Sequence, residues 1–453
     1  MHATASRRAF AKYATLSFNT DMTLELFVCS TYYFIVQAVT ATRNGAWHGR
    51  SAENSGREGE AVRTQVGIIG AGPAGLFLAH LLHRSGVDCV VLENRSREYV
   101  ESRVRAGVLE RTTVQLMHEI GIGDRVVREG LVHAGTTLAV NGEPFHVDFG
   151  ELLDGAAVTV YGQSEVMKDL HVSADRLGIP IHYEAQNVTP HDLDGDRPKI
   201  TWRSQKGVHS LECDFIAGCD GFHGVSRASI PADAIKVFER TYPFGWLGIL
   251  AEVPPCNHEL IYANHEHGFA LASMRSPTRS RYYLQCSLDD KLEDWSDEAI
   301  WQELAVRIGD SFAPKITRGP SFEKSIAPLR SFVCSPLRYG RLFLAGDAAH
   351  IVPPTGAKGL NLAAADVIVL AKALAAFYAS GSTREIDGYS ARALDRIWKA
   401  ERFSWWLTHL THRFPHMDGF DRQMQVAELE YLRQSRAAQS VFAENYVGLP
   451  LNA

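Results

Sequence analysis

The chain has 453 residues, 45% of them hydrophobic and 22% charged, the make-up of a soluble globular protein with room for roughly two or three domains. A formal charge of −6 with dispersed basic residues gives a nucleic-acid partner no electrostatic footing. The cysteines (Cys29, Cys89, Cys213, Cys219, Cys256, Cys286 and Cys334) include no C-x-x-C pair, so neither a disulfide framework nor a metal site is expected, and a reducing, cytoplasmic setting fits.

The first 63 residues read differently from the rest. Met1 to Thr20 is basic and free of acids, and Ser51 to Glu60 is polar and linker-like. Leu26 to Ala41 is apolar but shorter than the roughly 20 residues that span a membrane, so no membrane role is expected. Val62-Arg63-Thr64-Gln65-Val66 makes a natural opening for a first strand. The native protein is expected to begin at Val62; a targeting leader is the alternative.

From there the elements follow in order. Gln65 to Ile69 reads as a buried strand, then a glycine turn, then a helix over Ala74 to Ser85 with Leu76, Phe77, Ala79, Leu81 and Leu82 on its apolar side. Gly86 stops that helix and Asp88 to Leu92 forms the next strand, closing at Glu93, which makes a βαβ unit and predicts a parallel sheet. Phe244 to Ala251, Phe269 to Met274 and Arg281 to Ser287 are strand-like runs bounded by turn residues, as in an antiparallel sheet. Beyond Gly346 helical patterns dominate, over Asn361 to Ser380 and Asp387 to Leu410. The expected fold is α/β, α+β overall. A Rossmann-like nucleotide-binding domain covers residues 64–236, an antiparallel sheet domain 237–351 and a helical region 352–453, behind an extension at 1–63.

Gly70-x-Gly72-x-x-Gly75 is a weak signal alone. Here it follows a strand, opens a helix and precedes an acid, Glu93, by about 20 residues, as dinucleotide binding requires. Gly70 makes the turn, Gly72 lets amides approach a pyrophosphate, Gly75 permits close helix packing, and Glu93 can accept from ribose hydroxyls. Two more segments end buried strands in Asp-Gly or Gly-Asp: Asp214 to Arg227, through Asp220-Gly221, and Arg341 to His350, through Gly346-Asp347. A hairpin is expected from Ser273-Met-Arg275 to Arg281-Tyr-Tyr283. In a symmetric register Arg275 faces Arg281 and Ser273 faces Tyr283, all on one face. Two arginines so placed call for an anion between them, a carboxylate above all, unless the face lies in solvent with nothing bound.

The three nucleotide segments in this order resemble the group A flavoprotein aromatic hydroxylases. So do Arg103-Val-Arg105-Ala-Gly-Val-Leu-Glu, Val-Tyr161-Gly-Gln163, Glu259-Leu-Ile-Tyr262, Val352-Pro-Pro354-Thr-Gly-Ala-Lys-Gly-Leu-Asn361 and Glu444-Asn-Tyr446, and the likeness runs from Thr64 to Leu449. The resemblance implies FAD as cofactor, NADPH as co-substrate, and hydroxylation of 4-hydroxybenzoate by O2 through a flavin hydroperoxide, giving 3,4-dihydroxybenzoate. It implies that Ser273, Arg275 and Tyr283 hold the substrate carboxylate while Arg281 lies near the flavin. Tyr262 would accept from the substrate hydroxyl, Tyr446 would extend that chain, His133 would connect it to solvent, and Pro354 would set its carbonyl beside the reacting ring. For FAD it implies Arg105 at the pyrophosphate, Gln163 at the nucleotide, Asp347 at the ribityl chain, Leu360 and Asn361 at the isoalloxazine, and Arg103 among the cofactor-binding residues. Arg103, His223, Arg227 and Arg330 match donor-contacting positions, and Arg95 with Arg97 favours NADPH over NADH. A homodimer is expected, with Trp398, Phe403, Trp405 and Trp406 as its candidate face. The rivals are a hydroxylase of 3-hydroxybenzoate or 4-aminobenzoate, and a flavin-binding sensor without turnover.

Overall fold

The computed structural model describes residues 62–103 and 107–451; the expectations for residues 1–61 lie outside the described residues. In chain order the first strands are β1 (Val62–Ile69), β2 (Cys89–Leu92), β3 (Val108–Leu109), β4 (Leu131–His133), β5 (Gly135–Val140), β6 (Glu143–Asp148), β7 (Val158–Val160), β8 (Ile181–His182), β9 (Gln186–His191), β10 (Lys199–Ser204) and β11 (Gly207–Gly218). They continue as β12 (Lys236–Ala251), β13 (Ile261–His265), β14 (Gly268–Ser276), β15 (Arg279–Cys286), β16 (Ser321–Ser335), β17 (Arg338–Tyr339), β18 (Leu342–Leu344) and β19 (His350–Ile351). The helices used below are α1 (Pro73–Arg84), α2 (Gln163–Leu177), α3 (Asp297–Ile308), α4 (Gly359–Ser380), α5 (Arg384–Thr411), α6 (Gly419–Gln434) and α7 (Arg436–Val447).

β1, α1 and β2 form the expected βαβ unit. β1 pairs in parallel with β2 and β11, β2 with β8, and β11 with β18. The apolar run of β1 and the Leu76–Leu82 stretch of α1 are buried together, and Pro73 at the start of α1 suits a position whose N–H needs no partner. α4 packs against α1 and α5. It is long and apolar enough to cross a membrane, yet two-thirds of it is buried inside the protein, as in a core helix.

The second sheet runs β19-β16-β12-β15-β14-β13-β5-β6. It is antiparallel except where β13 meets β5. A contiguous division of the chain misses how it is built: β5 and β6 come from within residues 64–236, while β18, from within 237–351, returns to the first sheet. Leu138, Tyr262, Leu271, Tyr283 and Gly248 stand abreast across neighbouring strands. Because side chains alternate, this row and its i±2 neighbours share one face, packed with Phe403, Leu407, Phe442 and Tyr446 of α5 and α7. The opposite face buries Ile261, Ala270 and Tyr282 against Trp301 and Leu304 of α3. Each fully buried aliphatic side chain contributes about 1.5–3 kcal/mol, so slipping a strand by one residue is strongly disfavoured.

Candidate active site

A cleft of about 1040 Å³ runs along the C-terminal ends of the parallel strands, where open α/β sheets bind ligands. Gly70 follows β1, Glu93 follows β2, Asp220-Gly221 follows β11 and Gly346-Asp347 follows β18; all line the cleft. Gly70 has φ +103°, and a Cβ on Gly75 would collide with its carbonyl oxygen. Around Gly72 nothing lies within 4 Å of where a Cβ would stand, so the first amides of α1 are approachable by a pyrophosphate. Glu93 braces the turn: Oε2 accepts from the Ala71 amide (2.8 Å) and Oε1 from that of Arg95 (2.9 Å), leaving further lone pairs for a ribose hydroxyl. Asp366, which the sequence reading missed, accepts from the Gly346 amide (2.9 Å) and bonds His350 Nε2 (2.6 Å), holding the Gly346-Asp347 turn from behind.

Arg103, Gln163 and Leu360 also line the cleft; Arg105 lies outside the described residues. Asn361 does not face it. Its Oδ1 accepts from the Glu110 amide (2.9 Å) and Thr113 Oγ1 (2.7 Å), and its Nδ2 donates to the carbonyls of Val108 (2.9 Å) and Ala357 (3.0 Å). The side chain is a brace for the loop, and what residues 359–361 can offer a ligand is backbone amides at the start of α4. Beside it Lys358 is buried, with Nζ donating to Glu110 Oε1 (2.7 Å) and the Tyr446 carbonyl (2.9 Å). Arg396 closes this network on Glu110 Oε2 (2.8 Å). Burial pushes Lys358 below the ordinary lysine value and Glu110 opposes that.

A smaller pocket lies against the second sheet, lined in part by Tyr262, Leu271, Ser273 and Arg275. Val108, Trp246, Tyr283, Pro354 and Ala357 line both cavities, so the pocket opens into the cleft. A Cβ on Gly248 would stand 3.0 Å from both Arg281 Nη2 and the Tyr283 ring, so glycine gives those two side chains their room.

The hairpin register differs from the symmetric one. Ser273 stands opposite Arg281 and Leu271 opposite Tyr283, and the ladder shifts between Met274 and Ser276. The connection is only Pro277-Thr278, with Ser276 Oγ accepting from the Thr278 amide (3.2 Å). This tight turn moves the pairing by two residues and leaves Arg275 at the irregularity, out of line with Arg281. An even shift keeps the faces, so Ser273, Arg281 and Tyr283 still project together. The two arginines are not equivalent. Arg281 Nη1 pairs with Glu323 Oε1 (2.7 Å), two strands away on β16. Arg275 forms no ion pair among the described residues; Nη1 donates to the Met274 carbonyl (2.9 Å) and its buried Nε has no partner. Burial lowers its pKa, and Tyr283 opposes the shift. Ser273 Oγ donates to the Arg281 carbonyl (2.8 Å), so its proton is turned into the sheet and must rotate to serve an anion.

At the pocket's other end the Tyr262 and Tyr446 hydroxyls lie 2.9 Å apart. Burial raises Tyr262 well above the ordinary tyrosine value and pushes Tyr446 up to about 12, so both stay protonated at neutral pH. His133, expected to connect the pair to solvent, is itself buried: it is 2% exposed, both ring nitrogens lack partners, and burial lowers its pKa. It ends β4, where pairing with β7 covers it. The Pro354 carbonyl accepts from the Ala357 amide (2.9 Å), which fixes the turn beside the pocket.

Of the expected donor-contacting residues, Arg95, Arg103 and His223 line the cleft. Arg95 and Arg103 both sit over the Tyr99 ring, at 5.2 and 5.5 Å. Arg97 is drawn away into ion pairs with Glu101 and Asp175. Arg227 and Arg330 gather instead around Phe222, at 4.8 and 4.5 Å, with Arg227 donating to the Ala348 carbonyl (2.8 Å) and Arg330 paired with Glu239 (3.3 Å). Trp246, Glu323 and Glu110 are site residues that sequence reading did not single out. Glu110, closing the Arg103 segment, and Trp246, within the Phe244–Ala251 run, sat inside stretches already marked.

A glycine turn, strand-end acids and a pocket opening into one long cleft define an FAD-dependent enzyme site. Residues 63–404 match the family model described as FAD binding domain. The chain belongs to that family, among its flavoprotein aromatic hydroxylases. It is 54% identical over 391 residues to p-hydroxybenzoate hydroxylase of Acinetobacter baylyi, covering 86% of this chain and 96% of that one. Rifampicin monooxygenase of Streptomyces venezuelae is 27% identical, over 74% of this chain and 67% of its own. In fold, the crystal structure of p-nitrophenol 4-monooxygenase from Pseudomonas putida superposes with a TM-score of 0.74 at 18% identity, over 86% of this chain and all of that one.

Proposed function

We propose that the protein is a 4-hydroxybenzoate 3-monooxygenase. It converts 4-hydroxybenzoate, NADPH, a proton and O2 into 3,4-dihydroxybenzoate, NADP and water. The observation that carries this reading is the polarity of the pocket, with the unpaired Arg275 at one end and the Tyr262–Tyr446 hydroxyl pair at the other. A ring bearing a carboxylate and a para hydroxyl satisfies both. The 54% identity to p-hydroxybenzoate hydroxylase supports the same substrate.

FAD, when bound, supplies the hydride acceptance and oxygen activation. The chain supplies the rest. Arg275 and Tyr283 hold the carboxylate, with Ser273 joining when its hydroxyl rotates. Tyr262 accepts the substrate hydroxyl's proton while passing its own to Tyr446, and Tyr446 gives up its own in turn toward His133 and solvent, so a phenol with an ordinary pKa of about 10 is brought toward the electron-rich phenolate without charging either tyrosine. Trp246, Leu271 and Val108 wall the ring off from water. Glu93, Arg103, Gln163 and Asp347 hold FAD, and Arg95 with Arg103 favours the phosphate of NADPH. Trp398 and Trp405 are each 41% exposed, and Trp398 contacts the half-exposed Phe238 at 5.3 Å; they are the face offered to a second copy, whereas Phe403 is core. Mass measurement in solution of Trp398→Glu against the parent tests that homodimer, and an unchanged mass removes the assignment. The buried free cysteines suit a cytoplasmic protein.

The deciding assay is NADPH oxidation with 4-hydroxybenzoate as effector. The expected result is stimulated oxidation with one 3,4-dihydroxybenzoate formed per NADPH. Oxidation without product, or better turnover of 3-hydroxybenzoate or 4-aminobenzoate, removes the reading, and equal efficiency with NADH removes the donor assignment.

A further inference from the structure

The C-terminal end of α5 holds both sides of the opening between the substrate pocket and the cleft. That opening is lined by Val108, Trp246, Tyr283, Pro354 and Ala357. On one side Thr355, next to Pro354, donates to Thr408 Oγ1 (2.9 Å), whose own proton goes to the Ser404 carbonyl (2.7 Å). On the other side the Trp246 indole N–H donates to Nε2 of His412 (2.7 Å). Phe244, Trp246 and Gly248 alternate onto the pocket face of β12, and Gly248 stands opposite Tyr283. The Trp246 ring also packs on that of Tyr283, at 4.9 Å. His412 is itself fixed. It is fully buried, stacked on Phe244 (4.9 Å) and Phe269 (4.2 Å), and its Nδ1–H donates to the Thr408 carbonyl (3.0 Å). A neutral imidazole has one donor and one acceptor nitrogen, so with Nδ1 donating, Nε2 is the acceptor the indole needs. Burial pushes the ring's pKa down to about 3, which keeps it in that neutral form.

We infer that His412 is a positioning residue of the pocket mouth: it holds the Trp246 indole between pocket and cleft and so sets how fast substrate passes. This rests on the reading that the pocket takes 4-hydroxybenzoate. β12 is paired on both edges, with β15 and β16, so the mouth widens by movement of the Trp246 side chain and not of its strand. An indole that swings aside leaves its N–H without an acceptor in a buried place, which is penalised until it returns. The hydrogen bond is present before substrate enters and again once it is seated. Its loss therefore falls on the passage alone. It slows entry and exit by the same factor and leaves the binding equilibrium where it was.

The test is substrate exchange. Oxidised holoenzyme is mixed with 4-hydroxybenzoate by stopped flow, and the flavin absorbance change gives the association and dissociation rates. His412→Phe keeps a stacked ring and deletes the acceptor, whereas His412→Gln keeps an acceptor. In His412→Phe both rates are expected to rise about fivefold or more, the worth of one ordinary hydrogen bond in the barrier, with the dissociation constant within about twofold and with His412→Gln near the parent. Trp246→Phe removes the donor and is expected to speed exchange too; adding His412→Phe to it changes the rates no further. Parent rates in His412→Phe, or an effect of His412→Phe that persists undiminished in the Trp246→Phe background, overturns the inference. So does an affinity loss carried by dissociation alone, the mark of a merely structural role. If His412→Phe does not retain FAD, Trp246→Phe decides, and exchange at the parent rate there overturns it. Failure of 4-hydroxybenzoate to bind the parent removes the proposed function and this inference with it; binding with unchanged exchange in the variants removes this inference alone.

Discussion

Replacing Asn361 with alanine tests whether the loop from Pro354 to Asn361 is held as its contacts indicate. The change deletes four hydrogen bonds, to the Glu110 amide, Thr113 Oγ1 and the carbonyls of Val108 and Ala357. Thr113 can rotate to a new acceptor. The Glu110 amide cannot, and a buried N–H left unpaired costs about 1–3 kcal/mol. The two carbonyls lose a donor each, at about 1 kcal/mol apiece. Ala357 sits at φ +53°, a strained position for alanine, and loses one of the bonds that keep it there. Together these give a loss of about 3–5 kcal/mol. Urea unfolding of apoprotein and holoprotein measures it, with FAD fluorescence reporting cofactor affinity. Because Pro354, Ala357 and Leu360 line the cleft, FAD affinity is expected to fall at least about tenfold in step. A stability loss below about 1 kcal/mol with unchanged FAD affinity refutes the reasoning.

Glu323→Gln removes the charge that neutralises Arg281 while keeping an acceptor 2.7 Å away. Glu323 is one-third exposed, so solvent screening reduces the effect to the order of 1 kcal/mol. Substrate dissociation constants, titrated by flavin absorbance, are expected to fall about fivefold and to become more salt-sensitive; weaker binding counts against the division of labour between Arg275 and Arg281. His412 carries the acid sensitivity. It lies stacked near Phe244 and Phe269 and accepts from Trp246 Nε1 (2.7 Å), and burial pushes its pKa down to about 3 from 6.5. Its folded value is depressed, so its contribution is complete above pH 6.5 and is lost as pH falls toward 3, by about 1.4 kcal/mol per pH unit. His412→Gln, which can still accept from Trp246, is expected to flatten stability against pH by one proton between pH 6 and 4 (roughly the window where the unfolded histidine charges). Identical slopes in the two proteins refute it.

The parts of this molecule legible in its sequence are those whose signal is local. Period and breakers placed β1, α1 and β2, because a buried strand, a glycine turn and an amphipathic helix each announce themselves within a dozen or so residues. The strand-end acids were legible for the same reason. The hairpin shows where locality ends. Its residues and shared face were readable, but the two-residue turn and the irregularity at Arg275 depend on how β14 settles between β13 and β15. Glu323 gave no signal at all: it reaches Arg281 from 42 residues away across β12, and an exposed-looking acid in a strand reads as a solvent position. Asn361 was marked as a place but not for its work, since three of its four partners, all but Ala357, lie some 250 residues distant. His133 was marked only through the resemblance, as the link from the tyrosines to solvent, and its burial at the end of β4 depends on the pairing of β4 with β7, which no local pattern announces.

The two ends of the pocket also decide which way a substrate can enter. A carboxylate at the tyrosine end would meet two hydroxyls already bonded to each other, and Lys358, the nearest cation, is committed to Glu110. It would therefore be desolvated with one neutral hydrogen bond in return, a loss of several kcal/mol. The same carboxylate at the other end meets Arg275, whose buried Nε has no partner and whose charge is itself disfavoured by burial. Binding there relieves both groups at once. Arg281 could have blurred this preference by spreading positive charge along the sheet, and Glu323 prevents that by holding it. On the proposed function, orientation would thus be fixed by one guanidinium without an ion-pair partner and one closed hydroxyl pair, before any oxygen chemistry begins. That orientation would deliver the substrate's hydroxyl to the tyrosine end, where the proposed function gives its proton somewhere to go.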